Sequence, residues 1–259
     1  MKKGVILKQN YLNEIIFRID FETIPELIGE NEEGISKFKN KIMASFPRTE
    51  TIQQKSIDVT IKPDDLTSSM NKENLCWVFR NEENTKEISL TANNLILTYH
   101  KSVYSKFRYL LDDISLLLSA IKEYEINHIE FLGLRYINEI NDTEINNNIQ
   151  EYINPSLLNT NLLNDLQKEN SDLIQIFSKL DFQQNNYILT LHYGFFNPTT
   201  DPNFEKHFIL DYDCMNKQII NVDEVSDNLK NMHELIFNKF DYSVTDNFIS
   251  KLGETYESN

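Results

Sequence analysis

The chain has 259 residues, of which 40% are hydrophobic, 11% aromatic and 25% charged; that is enough apolar material for one large or two small packed domains, and it excludes wholesale disorder. The 25 Lys and Arg stand against 40 Asp and Glu, a formal net charge of −15. The acid lies late, with 8 basic and 20 acidic side chains in residues 131–259 against 17 and 20 in residues 1–130, so the second half is a poor surface for phosphate backbones, which are gripped by Lys and Arg.

The Lys2-Lys3 start followed by Val5-Ile6-Leu7 begins like a signal peptide, but its apolar run is too short for the core of one. No run approaches the roughly 20 apolar residues that a membrane helix needs. Cys76 and Cys214 both sit in apolar strand-like runs and read as buried free thiols, which fits a reducing, cytoplasmic compartment.

Along the chain, Ile15, Phe17, Ile19 and Phe21 alternate with Ile16, Arg18 and Asp20, which predicts a half-buried strand over 11–21. Helical spacing over 24–46 stops at Phe46-Pro47. Ile57, Val59 and Ile61 mark a short strand, and the polar residues 63–74 read as a loop. Leu75–Arg80, Glu87–Thr91 and Leu95–Tyr99 read as antiparallel strands joined by Asn-rich turns. Val103, Phe107, Leu110, Ile114, Leu117, Ile121 and Tyr124 then predict an amphipathic helix of about six turns over 102–125, with Ser102 as its N-cap. A strand follows over Ile129–Ile140, and residues 141–170 read as a connection with one or two short helices.

Three more strands are expected, at Leu173–Leu180, Tyr187–Phe195 and Phe208–Met215, with a loop at 197–202. Val222, Val225, Leu229, Met232, Ile236 and Phe240 predict a second long helix, opened by a capping box of Asn221 and Glu224. The order hairpin strands, then long helix, thus occurs twice, at about 75–126 and 173–240. The expected fold is α+β, antiparallel sheets each covered by a long amphipathic helix. It forms two similar lobes, 1–140 and 141–259, in one structural unit.

With six glycines in the chain there is no phosphate-binding glycine loop and no dinucleotide fingerprint. His-Glu-x-x-His, zinc-type Cys pairs and Gly-x-Ser-x-Gly are also missing from the sequence, and no cofactor is expected. Three groups remain. Asp211 and Asp213, two apart on a strand, share a face; they are either part of a solvated face above Phe208, Leu210 and Tyr212 or oxygen ligands for a divalent metal. Arg135, inside the strand Gly133-Leu134-Arg135-Tyr136-Ile137-Asn138, needs a partner, either a carboxylate such as Asp211 or Asp213 or an anionic ligand held in its fork, with Asn138 on the opposite face. His192, His207 and His233 are the histidines that a metal site near this acidic strand would draw on; His100 and His128 are assigned no role.

The segments Gly133–Asn138, Phe208–Asp213, His233-Glu234 and Phe240–Asp246, with Tyr104-Ser105-Lys106-Phe107, resemble an uncharacterised, sporadically distributed bacterial and archaeal family of about this length. The resemblance covers about residues 10 to 250. It implies one structural unit in a prokaryotic cytosol, and its sporadic distribution implies defence or mobile-element biology; it carries no catalytic residues. The expectation is a non-enzymatic interaction protein, a sensor, adaptor or antitoxin-like partner of a protein encoded nearby, with self-association left open. Glu139, Asp142, Glu144 and Glu151 are expected to be freely exposed contributors to its acidic surface. The alternative is a divalent-metal-dependent enzyme acting on a phosphate-containing small molecule or nucleic acid. Its metal would sit on Asp211, Asp213 and one histidine, and its phosphate would be steadied by Arg135.

Overall fold

The computed structural model describes residues 5–7, 11–54, 57–62, 65–70, 74–101, 106–158, 175–196 and 207–256. Ser102, Val103, Tyr104, Ser105, the loop 197–202, Leu173 and residues 159–170 lie outside that set. The fold is α+β, with nine strands forming one large antiparallel sheet. In chain order the strands are β1 (Val5–Leu7), β2 (Leu12–Asp20), β3 (Arg48–Gln54), β4 (Ile57–Lys62), β5 (Asp65–Met70), β6 (Asn74–Arg80), β7 (Lys86–Leu90), β8 (Asn94–His100), β9 (His128–Ile129), β10 (Phe131–Ile140), β11 (Ile176–Gln184), β12 (Tyr187–Phe196), β13 (His207–Asn216), β14 (Ile220–Asn221) and β15 (Glu254–Tyr256). The large sheet has the order β11-β12-β13-β10-β2-β8-β7-β6-β3, while β1 pairs with β15, β4 with β5, and β9 with β14. None of the described helices is long and apolar enough to cross a membrane.

The chain divides into two compact units built from interleaved segments. Unit 1 comprises residues 1–15, 134–215 and 229–259; unit 2 comprises 16–133 and 216–228.

In unit 2 the alternation of β2 is obeyed, since Phe17, Ile19 and Phe21 are buried and Arg18 is exposed. The segment 24–46 is not one helix. A 3-10 turn at Pro25–Leu27 is followed by helix α1 (Glu32–Ile42), capped by the Asn31 side chain, which accepts from the Gly34 N–H. Gly34 is required because a Cβ there would stand 2.0 Å from the Glu26 carbonyl oxygen. The long helix α2 spans Phe107–Ile121 with Lys106 at its N-cap, a turn later than the expected start at Ser102, and tightens into a 3-10 turn over Lys122–Tyr124. Its stripe of Leu110, Ile114, Leu117 and Ile121 is fully buried, and α2 packs against α1. The Tyr124 hydroxyl fixes this contact by donating to the Gly34 carbonyl at 2.8 Å and accepting from the Phe38 N–H at 3.2 Å.

Two of the longer strands of unit 2 escaped the pattern reading. Residues 65–70, expected as loop, form β5 and pair with β4, Lys62 opposite Asp65; residues 48–54 form β3 beside β6. Both are rich in Thr, Ser and Gln, so ladder hydrogen bonds and not apolar alternation hold them in strand form.

In unit 1, β13 buries Phe208, Leu210, Tyr212 and Cys214, with Leu189, Leu191 and Phe195 of β12 buried as well; the Phe195 and Phe208 rings meet edge to face at 5.2 Å. Two short helices, α3 (Thr143–Asn147) and α4 (Ile149–Tyr152), lie in the described part of the expected connection. The second long helix, α5 (Val225–Ser243), follows a 3-10 turn at Val222–Glu224, and the short helix α6 (Asp246–Leu252) comes after it. The Glu224 carboxylate accepts from the Asn221 N–H at 2.8 Å, the capping box expected there. Cys76 and Cys214 are both free and buried. Burial pushes both thiols up, Cys214 to about 12, so neither is a reactive thiolate.

Candidate functional site

The polar face of unit 1 follows from strand alternation. With Leu134, Tyr136, Leu210 and Tyr212 turned into the core, their neighbours Arg135, Ile137, Glu139, Ile209, Asp211 and Asp213 are turned the other way. On β12 the same rule places Thr190 and His192 on that face, and on β11 it places Lys179 and Asp181, which stand opposite them in register.

Arg135 meets Asp211 in a two-pronged ion pair, Nε to Oδ1 at 2.8 Å and Nη2 to Oδ2 at 2.7 Å. This is the carboxylate partner expected for Arg135, but the burial falls on the other member. Asp211 is 5% exposed overall, whereas the Arg135 side chain is 39% exposed. Hydrogen bonding to Asp211 raises the guanidinium further above its ordinary range, with Asp213 and Glu14 adding to the effect. Asp211 also faces His192, whose Nδ1 lies 3.5 Å from Oδ2. The result is a buried carboxylate held by a fork on one side and an imidazole on the other. Next to it, the Thr190 hydroxyl donates to Asp181 at 2.7 Å and Lys179 Nζ reaches the same carboxylate at 3.1 Å. Both hold Asp181 below the ordinary carboxylate range.

The other candidate residues go to separate partners. Asn138 lies on the opposite face, as alternation requires, and its Nδ2 donates to the Leu210 carbonyl at 3.1 Å, tying β10 to β13. His207 Nδ1 lies 2.5 Å from Glu139 Oε1. His233, on α5, meets the Tyr136 hydroxyl through Nδ1 at 3.1 Å. Asp213 is held in the electrostatic field of Arg135. The three histidines therefore have three different partners, and among the described residues no three His, Cys, Asp or Glu side chains are grouped to hold a metal ion.

Burial pulls His233 down to about 4, so in the folded chain its ring stays neutral at pH 7. An unfolded histidine titrates near 6.5. Between those values the unfolded state binds a proton that the folded state refuses, so His233 costs stability as pH falls from about 6.5 to about 4, on the order of 3 kcal/mol in all. His233→Gln is expected to flatten that part of the stability–pH curve, read from urea midpoints at pH 7 and pH 4.5. An unchanged slope would show that other groups set it.

Of the expected free acidic surface, Glu144 and Glu151 are exposed, but Glu139 and Asp142 are half-buried, and Glu139, Asp142 and Glu144 are engaged by partners. Glu139 is held by His207. Asp142 caps α3, accepting from the N–H groups of Glu144 and Ile145, and also accepts from the Tyr11 hydroxyl at 3.0 Å. Lys251 of α6 bridges Asp142 at 3.1 Å and Glu144 at 2.7 Å, and Glu144 takes the Tyr152 hydroxyl as well. Polar residues near a helix start are drawn into capping, which the polarity of the segment hid. Asp142→Ala should therefore cost about 1–2 kcal/mol as a lost N-cap with its added partners, measured by chemical denaturation, whereas Glu151→Ala should be near neutral. Equal effects would contradict this assignment. Sequence reasoning also missed Lys251 itself, the sixth residue of α6 and more than a hundred from its partners in sequence; only the fold brings them together.

Compared with protein-family models and with curated proteins, the chain matches none.

Proposed function

We propose that the chain is a non-enzymatic interaction protein, an adaptor, sensor or antitoxin-like partner in a prokaryotic defence or mobile-element system, working in the cytoplasm. The observation that carries this reading is the Arg135–Asp211 pair. The fork that would greet an anionic ligand is filled from within by a buried carboxylate, and the further charges acting on Arg135, Asp213 and Glu14, are acidic. Such a face selects a basic partner surface, consistent with the acidic balance of residues 131–259. The resemblance to the sporadically distributed family supplies the biological setting in this reading. The two similar lobes, each a sheet with a long helix laid over it, belong to the same reading, supported by the buried stripes of α2 and α5.

The test is co-expression with the products of neighbouring genes. A neighbour retained on the tagged chain at low salt and released as salt rises would support the reading, because exposed charge pairs are screened over about 8 Å at physiological ionic strength. Retention of no neighbour, or retention indifferent to salt, would overturn it.

One observation favours the enzymatic alternative. His192 Nδ1 lies 3.5 Å from a buried carboxylate, a placement that a modest closing-up would turn into the carboxylate–imidazole contact of a general base. Thermal-shift measurements with magnesium, manganese and nucleotides separate the two readings; a stabilisation lost in His192→Ala would favour an enzyme.

A further inference from the structure

β11 closes one end of the large sheet, and among the described residues its strand partner is β12 alone. An edge of nine residues presents roughly 30 Å of backbone donors and acceptors to whatever strand lies beside it. Phe177 and Leu180 on this strand are large apolar side chains left 47% and 36% exposed, as is Ile188 of β12 at 36%. Gly194 is opposite Phe177; its φ of +146° and the 1.8 Å that would separate a Cβ from the Ile176 carbonyl oxygen hold the β11–β12 hairpin in one close register.

We propose that β11 is a homodimerisation edge, on which a second copy of this chain adds its own β11 antiparallel about a two-fold axis at Leu180. The sequence of the strand, Ile176-Phe177-Ser178-Lys179-Leu180-Asp181-Phe182-Gln183-Gln184, is complementary to itself in that register. Leu180 meets Leu180 of the second copy. Lys179 lies directly opposite Asp181 on the same face, and by symmetry Asp181 lies opposite Lys179, giving two cross-strand ion pairs. Phe182 lies over the small Ser178.

Shifting the register by one step while keeping each buried face on the same side sets Lys179 against Lys179 in one direction and Asp181 against Asp181 in the other. Either shift is repelled, so the charges choose one register. Within one copy Lys179 and Asp181 already pair at 3.1 Å, with both side chains more than half exposed. The charges are thus at the surface and free to exchange partners across the axis.

The edge at the other end of the sheet, β3, has no such symmetry along its length, because setting Arg48 against Glu50 about Thr49 leaves only three strand residues in register. Pairing it with itself about Thr51 puts Glu50 against Ile52 and Arg48 against Gln54, and its Glu50 is already engaged by Arg80 at 2.6 Å. This inference stands apart from the proposed partner reading and does not need it.

The test is the oligomeric state of the full chain by light scattering and analytical ultracentrifugation. The wild type should be a dimer at micromolar concentration. Lys179→Asp sets acid against Asp181, and Asp181→Lys sets a cation against Lys179. Each should weaken the dimer roughly 30-fold, two attractive pairs becoming two repulsive ones. Mixing the two variants should restore it, since the acid introduced at 179 in one copy then faces the cation introduced at 181 in the other. The double swap K179D/D181K should dimerise by itself. Circular dichroism and melting curves check that each variant is folded, and hydrogen exchange of residues 176–184 on dilution reads the edge directly. A monomeric wild type at high micromolar concentration, or a dimer indifferent to both single variants and to their mixing, would overturn the proposal.

Discussion

Leu117→Asp is expected to leave no stably folded protein. Leu117 is 0% exposed in the middle of the α2 stripe, flanked by Ile114 and Ile121, and no described cation contacts that stripe. The substitution removes about 2–5 kcal/mol of burial and cavity contribution and forces a carboxylate into an apolar site, which costs several kcal/mol more or requires protonation. Together these rival the roughly 5–15 kcal/mol by which a domain is stable. The readout is soluble yield and the melting curve. A soluble variant with an unchanged Tm would show that α2 is not anchored by this stripe. Ser119→Asp, two residues away on the exposed side, should stay within about 0.5 kcal/mol of wild type.

The second large effect concerns Arg135 and Asp211, and it should be unequal between the two partners. Arg135→Met leaves a carboxylate that is almost wholly buried, with His192 at 3.5 Å as its remaining ionic neighbour among the described residues. Stranding a buried charge costs about 3–5 kcal/mol. Asp211→Asn leaves a guanidinium whose side chain is 39% exposed. It can turn toward water and toward Asp213 and Glu14, so the expected loss is about 1 kcal/mol. The combined variant Arg135→Met with Asp211→Leu should recover much of the deficit, because a well-packed apolar pair often replaces a buried ion pair without loss. Urea denaturation of the three variants forms the cycle. Equal losses for the two single variants would mean that Asp211 is as hydrated as Arg135.

Much of this arrangement can be read from the sequence where periodicity is strong. The β2 alternation of Ile15, Phe17 and Ile19, the seven-residue rhythm of Leu110, Ile114, Leu117 and Ile121, and the Asn221–Glu224 capping box each report a local rule, and each has its counterpart in the fold. The need of Arg135 for Asp211 or Asp213 is also legible, because an in-strand cation demands compensation. What sequence does not carry is register between distant strands. That His192 faces Asp211 depends on how β12 sits beside β13, and nothing in either strand alone decides it. Polar strands are silent for a different reason. Arg48-Thr49-Glu50-Thr51 and Thr67-Ser68-Ser69 have no apolar rhythm to reveal them. The acidic residues of the 139–152 segment misled because capping and bridging roles look like solvent exposure until Lys251 is brought back from the far end of the chain.

The interleaving of the two compact units bears on how a ribosome can deliver them. Unit 1 is assembled from residues 1–15, 134–215 and 229–259, and unit 2 from 16–133 and 216–228. As translation proceeds from the N-terminal end, neither unit has all its parts until most of the chain has emerged. Unit 2 waits for 216–228, and unit 1 waits longer still, for the turns of α5 and α6 that carry Met232, Phe248 and Lys251. At roughly 5–20 residues per second, the 82 residues of 134–215 that separate the two parts of unit 2 hold it incomplete for several seconds. During that interval the apolar residues of 16–133 lack the segment 216–228 that completes their unit and are the stretch of the nascent chain that most needs shielding.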